Sequence, residues 1–351
     1  MKRLLILVFS VLSLASFAAP SEGQPATETA FNPGEVIMHH VGDSHEWHFA
    51  TIGDAHHGTH VTLPLPIIAY RADKGLSVFS SAKLAHGQSY EGLKLDHEHL
   101  IDESGAQVTD LSITKNVAAL LLSVVVLMVV FFTVAASYTR NRGKAPSGMQ
   151  SFFEPIIVFI RDEIAQKAIG PKYERYVPYL LTIFFFIWFN NLLGLMPGGA
   201  NLTGNIAVTL TLAVLTLVIT LASSNKYYWS HILWTPGVPL WLRPIMLPVE
   251  LIGIVTKPFS LMIRLFANIT AGHIIILSLI SLIFIFESVA VSPVTVAFGI
   301  FMNFMELFVA LLQAYIFTLL TAMYIGGAVE EHHDSDYGIG GDDSSAPLSA
   351  H

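Results

Sequence analysis

Long apolar segments dominate the chain after residue 112, and each has roughly the 20 residues that a helix needs to cross a bilayer. Hydrophobic residues make up 53% of the chain and charged residues only 13%, about half the charged fraction of a soluble protein. The pattern predicts an all-α polytopic membrane protein, with the last two spans long enough to tilt. The five predicted spans are Val117–Tyr138, Val177–Met196, Ile206–Ala222, Phe259–Phe286 and Val294–Ile325.

The overall charge and the absent residue types exclude several classes of function. The net charge of −8 argues against nucleic-acid binding, which requires a basic surface. The chain contains no cysteine, so disulfides, thiolate metal sites and thiol nucleophiles are excluded. It also lacks a glycine-rich phosphate-binding loop, so we expect no direct nucleotide binding and no cofactor.

The composition divides the chain into four regions. Residues 1–18 have the pattern of a signal peptide, with two basic residues, a short apolar run and small residues before the predicted cleavage point. An anchor helix that is never cleaved is the alternative for this segment. Residues 19–112 are predicted to form a histidine-rich extracytoplasmic domain, 113–331 the membrane domain and 332–351 a flexible acidic cytoplasmic tail.

The extracytoplasmic domain is expected to be small and rich in β-structure. Alternation of apolar and polar residues predicts strands at residues 45–49 and 60–67. Closely spaced histidines are weak candidates for binding Zn²⁺ or Cu²⁺ through imidazole, although a solvated histidine-rich loop explains them equally simply. These candidates are His45, His48, His56, His57 and His60.

The distribution of basic residues predicts the orientation in the membrane. The loop between the first two spans and the loop between spans three and four contain Lys and Arg, whereas residues 197–204 and 287–293 contain neither. Basic loops favour the cytoplasmic side. The N-terminal domain is therefore expected outside and the C-terminus inside, in agreement with an odd number of spans after an exported domain.

One amphipathic helix is predicted on the cytoplasmic membrane surface, between spans one and two. Ser151 and Glu154 have the spacing of a capping box, and apolar residues recur at helical spacing up to Ile164. A helix of this kind lies in the interface with its apolar face in lipid. A soluble loop helix is the alternative.

Arg264 lies within the fourth predicted span. A guanidinium stays protonated, so it cannot avoid the low dielectric of the bilayer by becoming neutral. Placing it at mid-span is unfavourable by several kcal/mol even on lenient insertion scales. Such a charge either performs a function or pairs with a carboxylate, so a structural ion pair with Glu306 is the simpler alternative.

Further polar residues accompany Arg264 in the last two spans. Asn268 follows it by four residues on one helix face, and His273 lies further along the span. Glu306 and Gln313 share a face of span five, and Glu250 stands before span four. His273 and Glu306 can exchange protons, so the set suits proton translocation better than bond-making catalysis. Alternatively, His273 is a hydrogen-bonded core residue, and the two amides merely tie helices together.

Two sequence runs resemble subunit a of F-type ATP synthase. The first is Lys257-Pro-Phe-Ser-Leu-Met-Ile-Arg264-Leu-Phe-Ala-Asn268-Ile-Thr-Ala-Gly-His273, followed by Leu312-Gln313-Ala-Tyr-Ile-Phe. The second is Asn190-Asn-Leu-Leu-Gly-Leu-Met-Pro-Gly198, in an earlier hairpin. The resemblance covers roughly residues 115–332 and identifies residues 113–331 as a membrane domain of that type.

The resemblance implies a role for each polar residue. Arg264 would face a rotating ring of c-subunits, hold each passing ring carboxylate ionised and prevent a proton short circuit between two half-channels. Asn268, His273, Glu306 and Gln313 would line the outer half-channel, and Glu250 would lie near the inner one. Many family members have Glu at the position of His273 and His at that of Glu306, so the two groups are exchanged here.

The resemblance also implies the partners and location. The chain would be a non-catalytic, proton-conducting stator subunit in a bacterial inner membrane, bound to the c-ring, to b-type peripheral stalk subunits and to the rest of the ATP synthase. The alternative is a secondary transporter for a metal ion, with the histidine-rich domain as a capture site, although the chain shows no internal repeat. A purely structural scaffold leaves Arg264 unexplained.

Overall fold

The computed structural model describes residues 42–52, 59–84, 88–96, 99–196, 199–200, 202–233, 242–286 and 292–330. The predicted signal peptide and the whole of the predicted tail lie outside these residues. Strands come first and helices follow from Lys115 onward. The chain therefore consists of a β-rich N-terminal part and a helical part that contains the long apolar segments.

In the part of the N-terminal region that the structure describes, seven short strands form three small antiparallel sheets. A hairpin pairs β1 with β2, a three-stranded sheet has the order β4-β3-β7, and a second hairpin pairs β5 with β6. The two strands expected from the alternating sequence are present as β1 and β2. The strands are β1 Glu46–Ile52, β2 Thr59–Pro64, β3 Pro66–Arg71, β4 Gly75–Ser80, β5 Leu93–Asp96, β6 His99–Asp102 and β7 Val108–Asp110.

A buried ion pair lies beside the apolar core of this part. The core is formed by Ile67, Phe79, Leu93 and their neighbours. Arg71 Nη1 donates a 3.0 Å hydrogen bond to Asp102 Oδ2, and both side chains are almost completely buried. Because removing one partner leaves an uncompensated buried charge, the pair links β3 to β6 strongly.

The N-terminal part is joined rigidly to the first long helix. The backbone N–H of Lys115 donates to Ser44 O at 2.8 Å, and Lys115 Nζ donates to Gly42 O at 2.7 Å. Trp47 packs in an apolar cluster with Leu65, Ala119 and Ala200. The same cluster thus contains residues of the sheets, the first helix and the loop after the second span.

Among the described residues, the helical part contains seven principal helices. Four of these described helices are long and apolar enough to cross a membrane, and there are five such spans if α4 and α5, which are bent by 102° at a short break, form one span. This agrees with a polytopic membrane protein. The helices are α1 Lys115–Arg140, α2 Met149–Phe159, α3 Val177–Leu195, α4 Ile206–Ala222, α5 Lys226–Leu233, α6 Arg243–Phe286 and α7 Ser292–Val329.

The helix α6 begins well before the predicted start of the fourth span. It runs for 44 residues from Arg243 and continues through Pro248 and Pro258, which the sequence pattern placed before the span. Proline interrupts a helix in water, but neighbouring helices can satisfy the freed carbonyls in a membrane protein. Both α6 and α7, which has 38 residues, exceed the thickness of a bilayer.

The segment between α1 and α3 differs from its prediction in two respects. The helix α2 begins at Met149, with Gly148 before it at φ 64°, so Ser151 lies inside the helix and makes no cap. Glu154 instead accepts a hydrogen bond from Gln150 Nε2 at 3.2 Å. The capping-box prediction is therefore wrong, because the helix begins directly after Gly148, three residues before Ser151. Phe153 of α2 and Ile164 beyond it pack into the helical core, so part of the apolar face that was predicted to lie in lipid is buried against other helices.

The helical core lies where α7 packs against α3 and α6. Phe185 of α3 contacts Phe131 of α1 and Phe153 of α2 edge to face, at centroid distances of 4.7 and 5.7 Å. Edge-to-face aromatic pairs contribute about 0.5–1.5 kcal/mol each beyond their buried area. These contacts fix α3 relative to α1 and α2, and α7, which carries Glu306 and Gln313, packs on α3 in turn.

Candidate functional site

A hydrogen bond joins the polar residues of the last two helices. Asn268 Nδ2 on α6 donates to Gln313 Oε1 on α7 at 3.1 Å. Gln313 is 2% exposed, whereas Asn268 is exposed. The two amides therefore join α6 to α7 through a hydrogen bond. Gln313 is buried in this contact, and Asn268 remains exposed. The structure thus brings together two of the residues selected from the sequence.

The carboxylate of Glu306 lies against the backbone of α6. A Cβ placed on Gly272 would be 2.9 Å from Glu306 Oε1, so glycine leaves room for the carboxylate. Glu306 is 6% exposed. The side chain of His273, the next residue, lies outside the part of the chain that the structure describes. The exchange of acid and imidazole between His273 and Glu306 therefore stays a prediction, while Gly272, the residue before His273, lies against Glu306.

Along α6, Arg264 lies between Glu250, near the start of the helix, and Asn268, which contacts α7. Its side chain is partly buried, and no described carboxylate lies within 4.0 Å of its guanidinium. This argues against the alternative in which Arg264 forms a structural ion pair with Glu306. Asn268, one helical turn further along the same face of α6, contacts Gln313 of α7. The charge of Arg264 therefore lies on the side of α6 that carries this contact, without a described counter-charge in contact.

A polar pocket occupies the end of α6 that contains Glu250. The pocket has a volume of about 310 Å³ and includes Glu250 and Lys257, both of which the sequence pattern placed at this end. Glu250, Lys257 and Arg264 follow one another at intervals of seven residues, so they share one face of α6. The pocket therefore lies on the same face of the helix as the arginine.

Several pocket residues were not selected from the sequence. Lys257 Nζ lies 5.5 Å from the ring centroid of Tyr324, and both residues line the pocket. Tyr324 follows Gln313 by eleven residues, and this spacing places both on one helix face. The spacing was therefore a sequence signal that Tyr324 belongs with the candidate site residues. The other ionisable groups missed in this pocket are Tyr227, Tyr228, His231 and Glu330.

The turn between α4 and α5 positions one wall of the pocket. Asn225 Nδ2 donates to Val329 O at 2.7 Å, and its backbone N–H donates to Ala328 O at 2.9 Å. These bonds satisfy carbonyls at the C-terminal end of α7, which a helix end otherwise leaves without partners. They also hold α5, with Tyr228 and His231, beside the end of α7.

A second polar contact, which joins α3 and the loop after it to α7, was also not predicted from the sequence. Thr203 Oγ1 donates to Asn191 Oδ1 at 2.6 Å, and Asn191 Nδ2 donates to Ala310 O at 3.2 Å. Ala310 lies one helical turn after Glu306. The paired asparagines at Asn190 and Asn191, in the middle of an apolar span, were the sequence signal for this contact. It positions α7 against α3 and the following loop.

The described histidines do not form a metal centre. His45 Nε2 lies 2.8 Å from Asp110 Oδ2, so this imidazole bridges the segment before β1 to β7. No group of three His, Asp or Glu among the described residues has the arrangement of a metal site. His48 lies on β1 opposite Thr62. Of the other candidates, His56, His57 and the side chain of His60 lie outside the described part.

Family models match most of the chain. The model described as ATP synthase A chain matches residues 118–326, which include α2 to α6, nearly all of α1 and all but the last three residues of α7. A second model, described as a domain of unknown function, matches residues 36–119 and so includes all the described strands. The first match contains every polar residue of the last two helices discussed above.

Three relatives named ATP synthase subunit a are similar over most of their length. The protein of Chloroherpeton thalassium is 43% identical over 72% of this chain and 77% of its own length. Those of Chlorobium luteolum and Chlorobaculum tepidum, each named subunit a 2, are 41% and 40% identical. They match over 88% and 93% of this chain and 79% and 81% of their own lengths. The chain therefore belongs to the ATP synthase subunit a family.

Proposed function

We propose that this chain is the non-catalytic, proton-conducting stator subunit of an F-type ATP synthase. The observation that carries the proposal is the position of Arg264. Its partly buried guanidinium has no described carboxylate in contact and lies between a polar pocket and a polar helix contact. A permanent charge in this environment is unfavourable unless a moving partner neutralises it.

The moving partner is a carboxylate on a c-subunit of the rotating ring. Arg264 cannot relay a proton, because its deprotonated form is inaccessible. It favours the ionised form of a carboxylate that approaches within about 4–6 Å. A ring carboxylate therefore releases its proton on reaching Arg264, and a proton cannot pass the arginine directly from one side to the other.

Two routes to the ring lie on either side of Arg264. The outer route contains Asn268, Gln313, Glu306 and His273. Close packing of the Glu306 carboxylate on Gly272 supports a relay between Glu306 and its neighbour on α6, with the acid and the imidazole exchanged relative to many relatives. Because both groups titrate, either one can pass a proton to the other.

The inner route is the pocket that contains Glu250. Its lining includes a carboxylate, an ammonium and an imidazole, and these groups can bind water and exchange protons. Tyr324 and Lys257 both line this pocket, and Lys257 precedes Arg264 by seven residues on α6. The inner route therefore ends about two helical turns from the arginine on the same face of α6.

The orientation follows from the basic loops and the exported N-terminal part. The N-terminal domain lies outside a bacterial inner membrane, and the pocket with Glu250 opens to the cytoplasm with the C-terminus. The partners are the c-ring, b-type peripheral stalk subunits and the rest of the ATP synthase. The subunit itself binds no nucleotide.

The test is ATP-driven acidification of inverted membrane vesicles that contain the assembled complex. Arg264→Ala should abolish pumping, while Arg161→Ala should leave it unchanged, because Arg161 is an exposed residue paired with Asp162 beside it. The amount of subunit in the purified complex is measured for each variant. Arg264→Lys, which retains a positive charge, supplies a second variant if the alanine variant assembles poorly.

Undiminished pumping by Arg264→Ala in a normally assembled complex would contradict the proposed role of the arginine. Binding or transport of a metal ion by the purified chain alone, without a ring, would instead support the secondary transporter. A stator subunit should be inactive in that second experiment.

A further inference from the structure

The outer face of the three-stranded sheet carries no charged residue. Residues at alternate positions of a strand point to the same face, and the pairings Ile68↔Val78 and Tyr70↔Leu76 define the two rows of this face. Hydrogen bonds from Leu111 N to Ile68 O and from Ile113 N to Pro66 O extend it beyond β7. The nine positions are Pro66, Ile68, Tyr70, Leu76, Val78, Ser80, Thr109, Leu111 and Ile113.

The largest side chains of this face are exposed. Tyr70 is 50% exposed, Leu76 62%, Val78 63% and Leu111 59%. The opposite face of the same sheet already packs on the core through Ile67 and Phe79. An antiparallel sheet with one buried face normally presents polar residues on the other. A contiguous apolar face of this kind is typical of a surface that contacts a protein or a membrane.

This apolar face continues directly into the first membrane-spanning helix. Ile113 is two residues before the start of α1 at Lys115, and Val117 and Leu121 on α1 are exposed apolar residues. No flexible linker intervenes, because the backbone of Lys115 is hydrogen-bonded to Ser44. At about 3.4 Å per residue, the row of Ile68, Val78 and Leu111 lies roughly 10–15 Å from the start of the helix.

We propose that this face is a membrane-binding surface, on which the N-terminal domain rests against the outer leaflet. The chain path of roughly 10–15 Å is an upper limit on the height of this row above the start of α1. An inclined sheet therefore brings the face to the headgroup layer, which is about 5–8 Å thick on each side of the hydrocarbon core. The absence of charge allows it to enter that layer, and the phenol of Tyr70 suits the boundary between lipid and water. The inference requires that α1 spans the bilayer with the N-terminal domain outside, so it rests on the proposed orientation and not on proton conduction.

The test uses the absence of cysteine from the native chain. Leu76→Cys and Val78→Cys are each labelled with a nitroxide in the full chain, reconstituted in vesicles of phosphatidylethanolamine and phosphatidylglycerol. Lys94→Cys, at an exposed position of β5, is the control. Collision rates are measured with oxygen, which concentrates in lipid, and with a neutral nickel chelate, which stays in water.

Labels at 76 and 78 should collide with oxygen at least several times more often, relative to the nickel chelate, than the label at 94. Equal accessibility ratios at all three positions would overturn the proposal, since the face would then lie in water. Protection of 76 and 78 from both reagents would also overturn it, because another protein surface or a second copy of the chain would cover the face.

Discussion

The carboxylate of Glu306 on α7 lies against Gly272 on α6, in a space that a single methyl group would fill. A Cβ on Gly272 would be 2.9 Å from Oε1 and 3.1 Å from Cδ of Glu306. Those distances are shorter than ordinary van der Waals contacts, so one of the two groups would have to move. The glycine therefore determines where the carboxylate of Glu306 can lie.

Replacing Gly272 with alanine should impair proton pumping more than assembly. The atoms that must move belong to the end of a flexible side chain, so the energetic penalty is small, but the carboxylate loses its position. We expect at least a tenfold loss of ATP-driven pumping in complexes with a normal content of this subunit. Gly299→Ala on α7 is the control, because its Cβ would meet nothing within 4 Å.

Equal pumping by the two glycine variants would show that the position of Glu306 does not limit proton transfer. Loss of the subunit from the complex in Gly272→Ala alone would instead indicate that the close approach of α6 and α7 is needed for folding.

The hydrogen bond between Asn268 and Gln313 should be detectable as coupling between their variants. Asn268→Ala and Gln313→Ala each remove the same bond, so the double variant should lose less stability than the sum of the single variants. Interhelical hydrogen bonds in membranes contribute about 0.6 kcal/mol on average and up to about 1.7 kcal/mol. Reversible unfolding of the purified subunit in mixed micelles gives the three free energies of unfolding.

Strict additivity in this cycle would mean that the two amides do not interact in the membrane. A matched pair without a contact, Asn205→Ala and Gln313→Ala, should be additive, because Asn205 caps α4 through its own bond to the Ala207 N–H.

Gly326 and Gly327 should respond very differently to alanine. A Cβ on Gly326 would collide with the backbone carbonyl of Ala168, whereas a Cβ on Gly327 would meet nothing within 4 Å. Since a backbone atom cannot move aside easily, we expect Gly326→Ala to destabilise the protein by about 1–3 kcal/mol, as other overpacked sites do. Thermal unfolding of both variants in detergent provides the measurement.

Equal melting temperatures for the two neighbouring variants would show that the end of α7 does not pack on the Lys167–Ile169 turn in solution. A loss of stability in Gly327→Ala alone would contradict the assignment of which glycine faces that turn.

The stability of the N-terminal domain should fall in acid because of Asp102. Hydrogen bonds from the side chain and backbone of Ser104, and a further one from Arg71, hold the pKa of this carboxyl well below its usual range. A carboxyl with a lowered folded pKa stabilises the fold fully above its unfolded pKa of about 3.9. That contribution is lost as the pH falls below about 4 and approaches the folded pKa.

Denaturant unfolding of the full chain, followed by hydrogen exchange in β5 and β6, measures this effect between pH 6 and pH 3. Asp102→Asn should be less stable than the native chain at pH 6, and the difference should shrink towards pH 3. Asp73→Asn, in the exposed turn before β4, should leave the pH dependence unchanged. A constant difference between Asp102→Asn and the native chain across this range would contradict the prediction.

The sequence pattern predicted helices well where hydropathy alone determined them. The third predicted span, Ile206–Ala222, has the observed bounds of α4, and the second differs from α3 by one residue. It failed at the start of α6, where Glu250, Lys257 and two prolines reduce the local hydropathy. Those residues are helical although this end of α6 is mostly exposed, so hydropathy alone did not reveal where the helix begins.

The composition of the candidate site was predictable, but its contacts were not. Spacing placed Arg264 and Asn268 on one face of a helix, as it did Glu306 and Gln313. Which residue of one face meets which residue of the other depends on the rotation and register of two packed helices. The contact of Asn268 with Gln313 and the position of Gly272 against Glu306 are determined by that packing, so no local pattern encodes them.

The two proposed routes on either side of Arg264 would also concentrate the electric field of the membrane. Lys257, at the inner edge, and Asn268, at the outer contact, are eleven residues apart on α6, or about 16 Å along a helix. The hydrocarbon core of a bilayer is about 30 Å thick. If water fills both proposed routes, the transmembrane voltage falls over roughly half that thickness, so the field at Arg264 would be about twice the field in the surrounding lipid.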